Sequence, residues 1–157
     1  MLQFHVAISL IGILSGFVVL YCLLIGKPSG AWTAVFLCST ILTSLSGFPL
    51  PPFGFDPPRA VGVISLVLLI GAVAAYYGYN LKGAWRWIYV ACAMAALYLN
   101  VFVGVAQSFM KLPFLKPLAP TQSEPPFVVT QGVVLIAFVI LGIWAAVRFR
   151  PEIETGA

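Results

Sequence analysis

Long runs of apolar residues, separated by short polar or proline-rich stretches, make up most of this 157-residue chain. Five of these runs are close to the roughly 20 residues that a helix needs to cross the bilayer core. They cover residues 4–25, 31–48, 60–79, 85–110 and 127–147. The pattern predicts an all-α fold, a polytopic transmembrane helix bundle of five spans that forms a single transmembrane domain over residues 1–157.

The second run is the least uniform of the five, because hydroxyl side chains interrupt it. They are Thr33, Ser39, Thr40, Thr43, Ser44 and Ser46. In a helix, such hydroxyls bond back to a carbonyl of the preceding turn or across to a neighbouring helix. We therefore expect this helix to lie inside the bundle. If it does not span the membrane, the chain has four spans, and that alternative stays open.

Two proline-rich loops, residues 49–58 and 111–126, separate the later runs. Proline removes a backbone donor and clashes with the preceding turn, so neither stretch continues a helix.

The first run contains Gly12 and Gly16, a GxxxG step that lets two helices approach closely.

Composition narrows the class of protein. Hydrophobic residues are 62% of the chain and charged residues 8%, and the mean hydropathy is +1.08. These values are far from those of a soluble domain, so the lipid bilayer is the expected environment. The net charge of +4 comes from residues near the ends of apolar runs. This pattern suits lipid headgroups and does not form a nucleic-acid-binding face.

The basic residues also predict an orientation. One side of the predicted bundle holds Lys27, Lys82, Arg86, Arg148 and Arg150. The opposite side holds Arg59, Lys111 and Lys116. Because basic residues concentrate on the cytoplasmic side, we expect the N-terminus outside and the C-terminus in the cytoplasm. Both proline-rich loops then lie on the outer face.

Strongly polar side chains gather towards that outer face. Asn100 and Gln107 are seven residues apart and share one face of the fourth predicted helix. We hypothesise an outward-facing polar pocket with Asn100 near its floor and the two loops above it. The candidate ligand-binding residues are Asn100, Gln107, Gln131, Glu124, Asp56, Arg59 and His5. In the alternative interpretation, Asn100 and Gln107 hydrogen-bond neighbouring helices, which contributes about 0.6–2 kcal/mol per bond.

The sequence lacks the residues that a zinc site, a haem site or a proton pathway needs. The single histidine cannot supply a zinc ligand set or two haem ligands, and the chain has no CxxCH motif. No charged residue lies in the middle of a predicted span, where proton-coupled transporters and pumps place one. We predict no catalytic residue, no metal site and no cofactor, and an enzyme is the least favoured class.

Four segments carry a resemblance: LQFHVAISLIGILSGFVVLY at 2–21, GAWRWIYV at 83–90, ALYLNVFVGVAQSF at 96–109 and LAPTQSEPPF at 118–127. They are similar to segments of a group of short bacterial inner-membrane proteins with no assigned activity. The resemblance implies a multi-pass protein of the bacterial inner membrane. It carries no functional residues to this chain.

Two functions therefore compete. The first is a non-enzymatic membrane protein that acts by helix association, as a homo-oligomer or as an accessory subunit of a membrane complex. The alternative is binding or transport of a small neutral or lipophilic ligand through the outer polar pocket.

Overall fold

The computed structural model describes residues 2–49 and 57–150, and these form a helical bundle. The predicted all-α fold is confirmed, and no strand occurs within these two ranges. The five α-helices are α1 Leu2–Leu24, α2 Gly30–Gly47, α3 Pro57–Val73, α4 Trp85–Lys111 and α5 Pro125–Arg148.

All five helices are long and apolar enough to cross a membrane. The hydroxyl-rich α2 meets this criterion with a mean hydropathy of 1.3, whereas the other four reach 2.0–2.5. Five such helices are the mark of a multi-pass membrane protein.

Helices α3 and α5 begin earlier than the apolar runs predict. α3 starts at Pro57 rather than at residue 60, and α5 starts at Pro125 rather than at residue 127. Both starts are explained by proline, which is well tolerated in the first helical turn, where its missing N–H would have no partner. The proline pairs therefore open these helices instead of belonging to the loops before them.

α4 is the central helix. It contacts α1, α3 and α5, and its side chains hydrogen-bond to α2. Several of its residues are almost completely buried: Tyr89, Val90, Ala93, Ala96 and Leu97. Alanine at two of these positions lets neighbouring backbones come close, as is usual for packed membrane helices.

The helices alternate in direction, so the bundle has two distinct ends. At the His5 end, α1, α3 and α5 begin and α2 and α4 finish, and a hydrogen bond from His5 to Ser46 joins α1 to α2. At the Tyr89 end, α2 and α4 begin and the other three helices finish. There Thr33 of α2 bonds to Tyr89 of α4, and Arg86 of α4 donates to the carbonyl of Phe149, just after α5.

A π-helical turn, Ala74–Gly78, ends the third span at the Tyr89 end. The chain then turns back through Asn80, Leu81 and Gly83, all with positive φ, and the Tyr79 ring stacks on the Trp85 ring at a centroid distance of 3.7 Å. About half of the surface of Tyr77, Tyr79 and Trp87 is exposed. This is the arrangement expected of an interfacial aromatic belt.

Candidate functional site

The hydroxyl-rich α2 turns its polar face into the bundle, as its sequence predicts. Thr33, Ser39 and Thr40 are buried, whereas Trp32 and Leu42 are about half exposed. The inward hydroxyls are used as hydrogen-bonding groups, which agrees with their cost in an apolar medium when unpaired.

A polar cluster lies between α1, α2 and α4 at the His5 end. We define the His5-end cluster as His5, Thr40, Thr43, Ser46 and Asn100. The His5 Nδ1 atom lies 2.9 Å from Ser46 Oγ. Asn100 Nδ2 donates to Thr40 Oγ1 over 3.1 Å. Thr40, Thr43 and Ser46 recur every three residues and therefore share one face of α2.

Gly12 brings α1 close to this cluster. A Cβ atom at Gly12 would lie 3.3 Å from Thr40 Oγ1 and 3.5 Å from Asn100 Nδ2. At Gly16, one turn further along, a Cβ would overlap Leu97 Cδ1 and lie 2.9 Å from Phe36 Cε2. The GxxxG step is thus a close-packing contact within the chain.

Thr43 is the unusual member of the cluster. Its Oγ1 atom is buried and has no hydrogen-bond partner within residues 2–49 and 57–150. Other hydroxyls in these helices bond back to the preceding turn: Ser9 to the His5 carbonyl, Ser15 to the Ile11 carbonyl and Ser39 to the Val35 carbonyl. Thr43 lies on the same face of α2 as Thr40 and Ser46, between the two bonded pairs. Its oxygen is therefore a buried hydrogen-bonding atom without a partner, about one helical turn from Thr40 and from Ser46.

A second buried oxygen without a partner lies at the same end. Gln131 on α5 is 8% exposed, and its Nε2 atom donates to the Phe102 carbonyl over 3.0 Å. Its Oε1 atom is buried and unpaired within the described ranges. Phe102 lies two residues beyond Asn100, which is about 200° around α4. The structure therefore places Gln131 on a different side of α4 from the His5-end cluster.

Gln107 lies on the cluster side of α4. It is seven residues beyond Asn100, and therefore about two turns along the same face. The side chain is partly buried and forms no hydrogen bond with the described residues. Lys111, the last residue of α4, lies one turn further. Of the predicted residues, His5 and Asn100 both bond to α2, at Ser46 and Thr40 respectively, and Gln107 lies two turns beyond Asn100 on α4.

Glu124 has a role within its own loop. Its carboxylate accepts hydrogen bonds from the Thr121 hydroxyl (2.8 Å), the Thr121 amide (3.1 Å) and the Ser123 amide (3.1 Å). Desolvation by itself raises the pKa of Glu124, but the bonds from Thr121 and Ser123 outweigh it and hold this pKa below its ordinary value. Through these hydrogen bonds, the carboxylate holds together the end of the loop that precedes α5.

The other predicted loop residues are at the first proline-rich loop. Arg59 Nη2 donates to the Phe48 carbonyl over 3.2 Å, which joins the start of α3 to the end of α2. Asp56 lies outside the described residues.

The predicted site residues did not include Thr40, Thr43 and Ser46. Their three-residue spacing was the available signal, because it places all three hydroxyls on one helix face. The sequence did not show which helix this face meets.

The fold and the cluster define a class: a multi-pass helical membrane protein with a buried polar site towards one end of its bundle. No protein-family model, no curated protein and no solved structure matches the chain. In the described ranges, no three histidine, cysteine, aspartate or glutamate side chains are grouped so that they could hold a metal ion.

Proposed function

We propose that this protein binds or transports a small neutral or lipophilic molecule at the His5-end cluster, within the membrane. The observation that carries the proposal is the buried, unpaired Thr43 Oγ1 between two bonded pairs. A buried polar atom without a partner costs about 1–3 kcal/mol. A hydroxyl, amide or carbonyl group of a ligand would supply the missing bond.

The chemistry of the cluster favours a neutral ligand. Thr40, Thr43, Ser46 and Asn100 carry no charge, and they can both donate and accept hydrogen bonds. A charged ligand would lose its hydration at Thr43, whose neighbours Thr40, Ser46 and Asn100 carry no charge, and this is costly in an apolar medium. The ligand must also be lipophilic enough to lie among apolar helices.

We further propose that the His5 end faces the outside of a bacterial inner membrane. The excess of basic residues at the Tyr89 end supports this orientation by the positive-inside rule. The resemblance of four segments to bacterial inner-membrane proteins supports the location.

The test is a thermal-stability screen of neutral lipophilic compounds on the purified protein in mild detergent, with mass spectrometry of small molecules that co-purify. Each stabilising compound is then retested on Thr43→Val and on the double variant Asn100→Ala/Gln107→Ala. The matched control is Thr33→Val, which changes the same helix at the Tyr89 end.

We expect a ligand to raise the melting temperature of the wild type and of Thr33→Val, and to lose this effect in the other two variants. Equal stabilisation of all four proteins would contradict the proposal. So would a structure at high resolution in which a single ordered water completes the bonds of Thr43 and no ligand enters.

Helix association is the second candidate function. The specific observation in its favour is that α5 and α3 are the least covered of the five spans. Because Gly12 and Gly16 pack inside the chain, association would use the lipid-facing surfaces of these two helices. Site-specific photocrosslinkers at Ile140 on α5 and Val67 on α3, both more than half exposed, test this. Discrete crosslinked products at native expression would support association, and their absence at both positions would count against it.

A further inference from the structure

An apolar groove runs between α4 and α5 towards the Tyr89 end. It has a volume of about 360 Å³. Small residues, Ala91, Gly142 and Ala146, keep it open, and Trp87, Met94 and Phe138 are among its larger lining residues. Trp87 is 47% exposed and the lining residue Ile143 is 63% exposed, so the groove opens to the surroundings of the bundle. Its volume and apolar lining suit a hydrocarbon chain.

Arg86 lies at one end of this groove. Its Nη1 atom donates to the carbonyl of Ala146 over 3.2 Å and to the carbonyl of Phe149. Its Cζ atom lies 4.2 Å from the centroid of the Trp87 ring. Because Ala146 and Trp87 both line the groove, the guanidinium group stands where the groove meets the end of the bundle.

Some N–H donors of the Arg86 guanidinium form no hydrogen bond with the described residues. A guanidinium has five N–H donors, and the recorded bonds of Arg86 within the described residues use Nη1 alone. The donors on Nη2 and Nε can therefore bind a further acceptor. Phosphate oxygens match this planar pair of donors well, because arginine binds them in a bidentate manner.

The charges around this end favour an anion. Lys82 and Arg148 are exposed there, and both add positive potential near Arg86. Within residues 2–49 and 57–150 the one carboxylate side chain is Glu124, which lies at the His5 end. The last carbonyl groups of α5 oppose an anion through the helix dipole. Arg86 offsets this effect by binding the carbonyl of Ala146 in the last turn of α5 and that of Phe149 just after it.

From this geometry we infer that the α4–α5 groove is a binding site for one anionic phospholipid. One acyl chain lies in the groove, against Ala91 and Gly142. The phosphate binds the Nη2 and Nε donors of Arg86, and Lys82 and Arg148 strengthen the attraction. This site is separate from the His5-end cluster, so it stands independently of the proposed function.

The test is native mass spectrometry of the full chain in detergent, titrated with phosphatidylglycerol or with phosphatidylcholine of the same acyl chains. We expect one phosphatidylglycerol molecule per chain, bound about tenfold more tightly than phosphatidylcholine, because both lipids offer a phosphate to Arg86 but Lys82 and Arg148 repel the choline cation of phosphatidylcholine. Equal affinity for the two lipids would overturn the inference.

Two variants separate the acyl site from the headgroup site. Gly142→Leu fills the groove and should abolish binding of the single lipid. Its matched control is Gly132→Leu on the same helix, where an added Cβ atom has no neighbour within 4 Å, and this variant should bind as the wild type does. Arg86→Lys keeps the charge but loses the planar donors, and should weaken the binding of both lipids.

Arg86 also caps α5, so its variant can fold poorly. In that case the comparison of Gly142→Leu with Gly132→Leu decides the question by itself. Unchanged binding in Gly142→Leu, or an equal loss in both glycine variants, would contradict a lipid in the groove.

Discussion

The two ends of the bundle use polar side chains in different ways. At the Tyr89 end, the buried hydroxyls of Thr33 and Tyr89 bond to each other over 3.1 Å. At the His5 end, two buried oxygens in the described part of the chain, Thr43 Oγ1 and Gln131 Oε1, have no partner. A polar pair that is fully bonded holds helices together, whereas an unused bond is a place for a ligand or a water molecule.

The difference between the two ends follows from how the two halves of α4 are packed. Its first half, at the Tyr89 end, packs closely through Ala93 and Ala96, and its Tyr89 is 1% exposed. Its second half carries Asn100, Gly104 and Gln107, and none of these is fully buried. One helix thus combines a tightly packed half with a looser, polar half.

The largest expected effect is at the packed end. Tyr89→Ala should lower the free energy of unfolding by about 3 kcal/mol, because it leaves a cavity and removes the bond to Thr33. His5→Ala at the other end should cost about 1 kcal/mol, since it removes one partly buried hydrogen bond. Unfolding by sodium dodecyl sulfate in mixed micelles, followed by circular dichroism, measures both. Equal costs would remove the distinction between the two ends.

Alanine substitutions at the two glycines of α1 compare how tightly α1 packs at the two halves of the bundle. Gly16→Ala should cost about 2 kcal/mol, because the new methyl group overlaps Leu97 and Phe36. Gly12→Ala should cost less than about 1 kcal/mol, because its nearest contact would be 3.3 Å. The same unfolding titration ranks them. A larger cost at Gly12 would show that the polar half is the tighter one.

Valine substitutions at two threonines of α2, one turn apart, test whether the Thr43 hydroxyl lacks a hydrogen-bond partner. Thr40→Val should cost about 1 kcal/mol, because it removes the acceptor of the Asn100 amide. Thr43→Val keeps the shape of the side chain and removes a buried, unpaired hydroxyl, so it should raise the free energy of unfolding by about 1 kcal/mol. A cost at Thr43 similar to that at Thr40 would mean that Thr43 has a partner in the membrane.

The smallest effect concerns pH at the His5 end. Because the folded state lowers the pKa of Glu124, this carboxylate stabilises the fold above its unfolded pKa, and the contribution is lost as pH falls through the folded pKa. The wild type should therefore lose slightly more thermal stability in acid than Glu124→Gln does. Thermal unfolding from neutral to acidic pH measures this, and parallel curves would contradict it.

The sequence was enough to predict the five apolar helices and the inward face of α2, because both follow from the local pattern of apolar and hydroxyl residues. It also placed Asn100 on an inward face, where the structure gives it Thr40 as a partner. The role of Thr43 could not be predicted in this way. Whether a hydroxyl is bonded depends on which helix faces it, and this is set by packing between distant segments.

Long-range packing also explains two other features that the sequence left open. Arg86 is predicted as a topology determinant, and the structure adds that it binds carbonyl groups at the end of α5. Glu124 is predicted as a ligand-binding residue, and its carboxylate bonds to Thr121 and Ser123 in its own loop. The short spacing of these three residues was the local signal for that arrangement.

The most direct test of the account is the reactivity of single cysteines towards a small, membrane-impermeant thiol reagent, with Cys22, Cys38 and Cys92 replaced by alanine. Ser123→Cys marks the His5 end and Ser29→Cys the Tyr89 end, while Thr43→Cys and Thr33→Cys report on the interior of α2. We predict that reagent added outside modifies Ser123→Cys, modifies Thr43→Cys more slowly, and leaves Ser29→Cys and Thr33→Cys unmodified. If Thr43→Cys reacts no faster than Thr33→Cys, or reacts only from the face that Ser29→Cys reports, the His5-end cluster is not an outward-facing site.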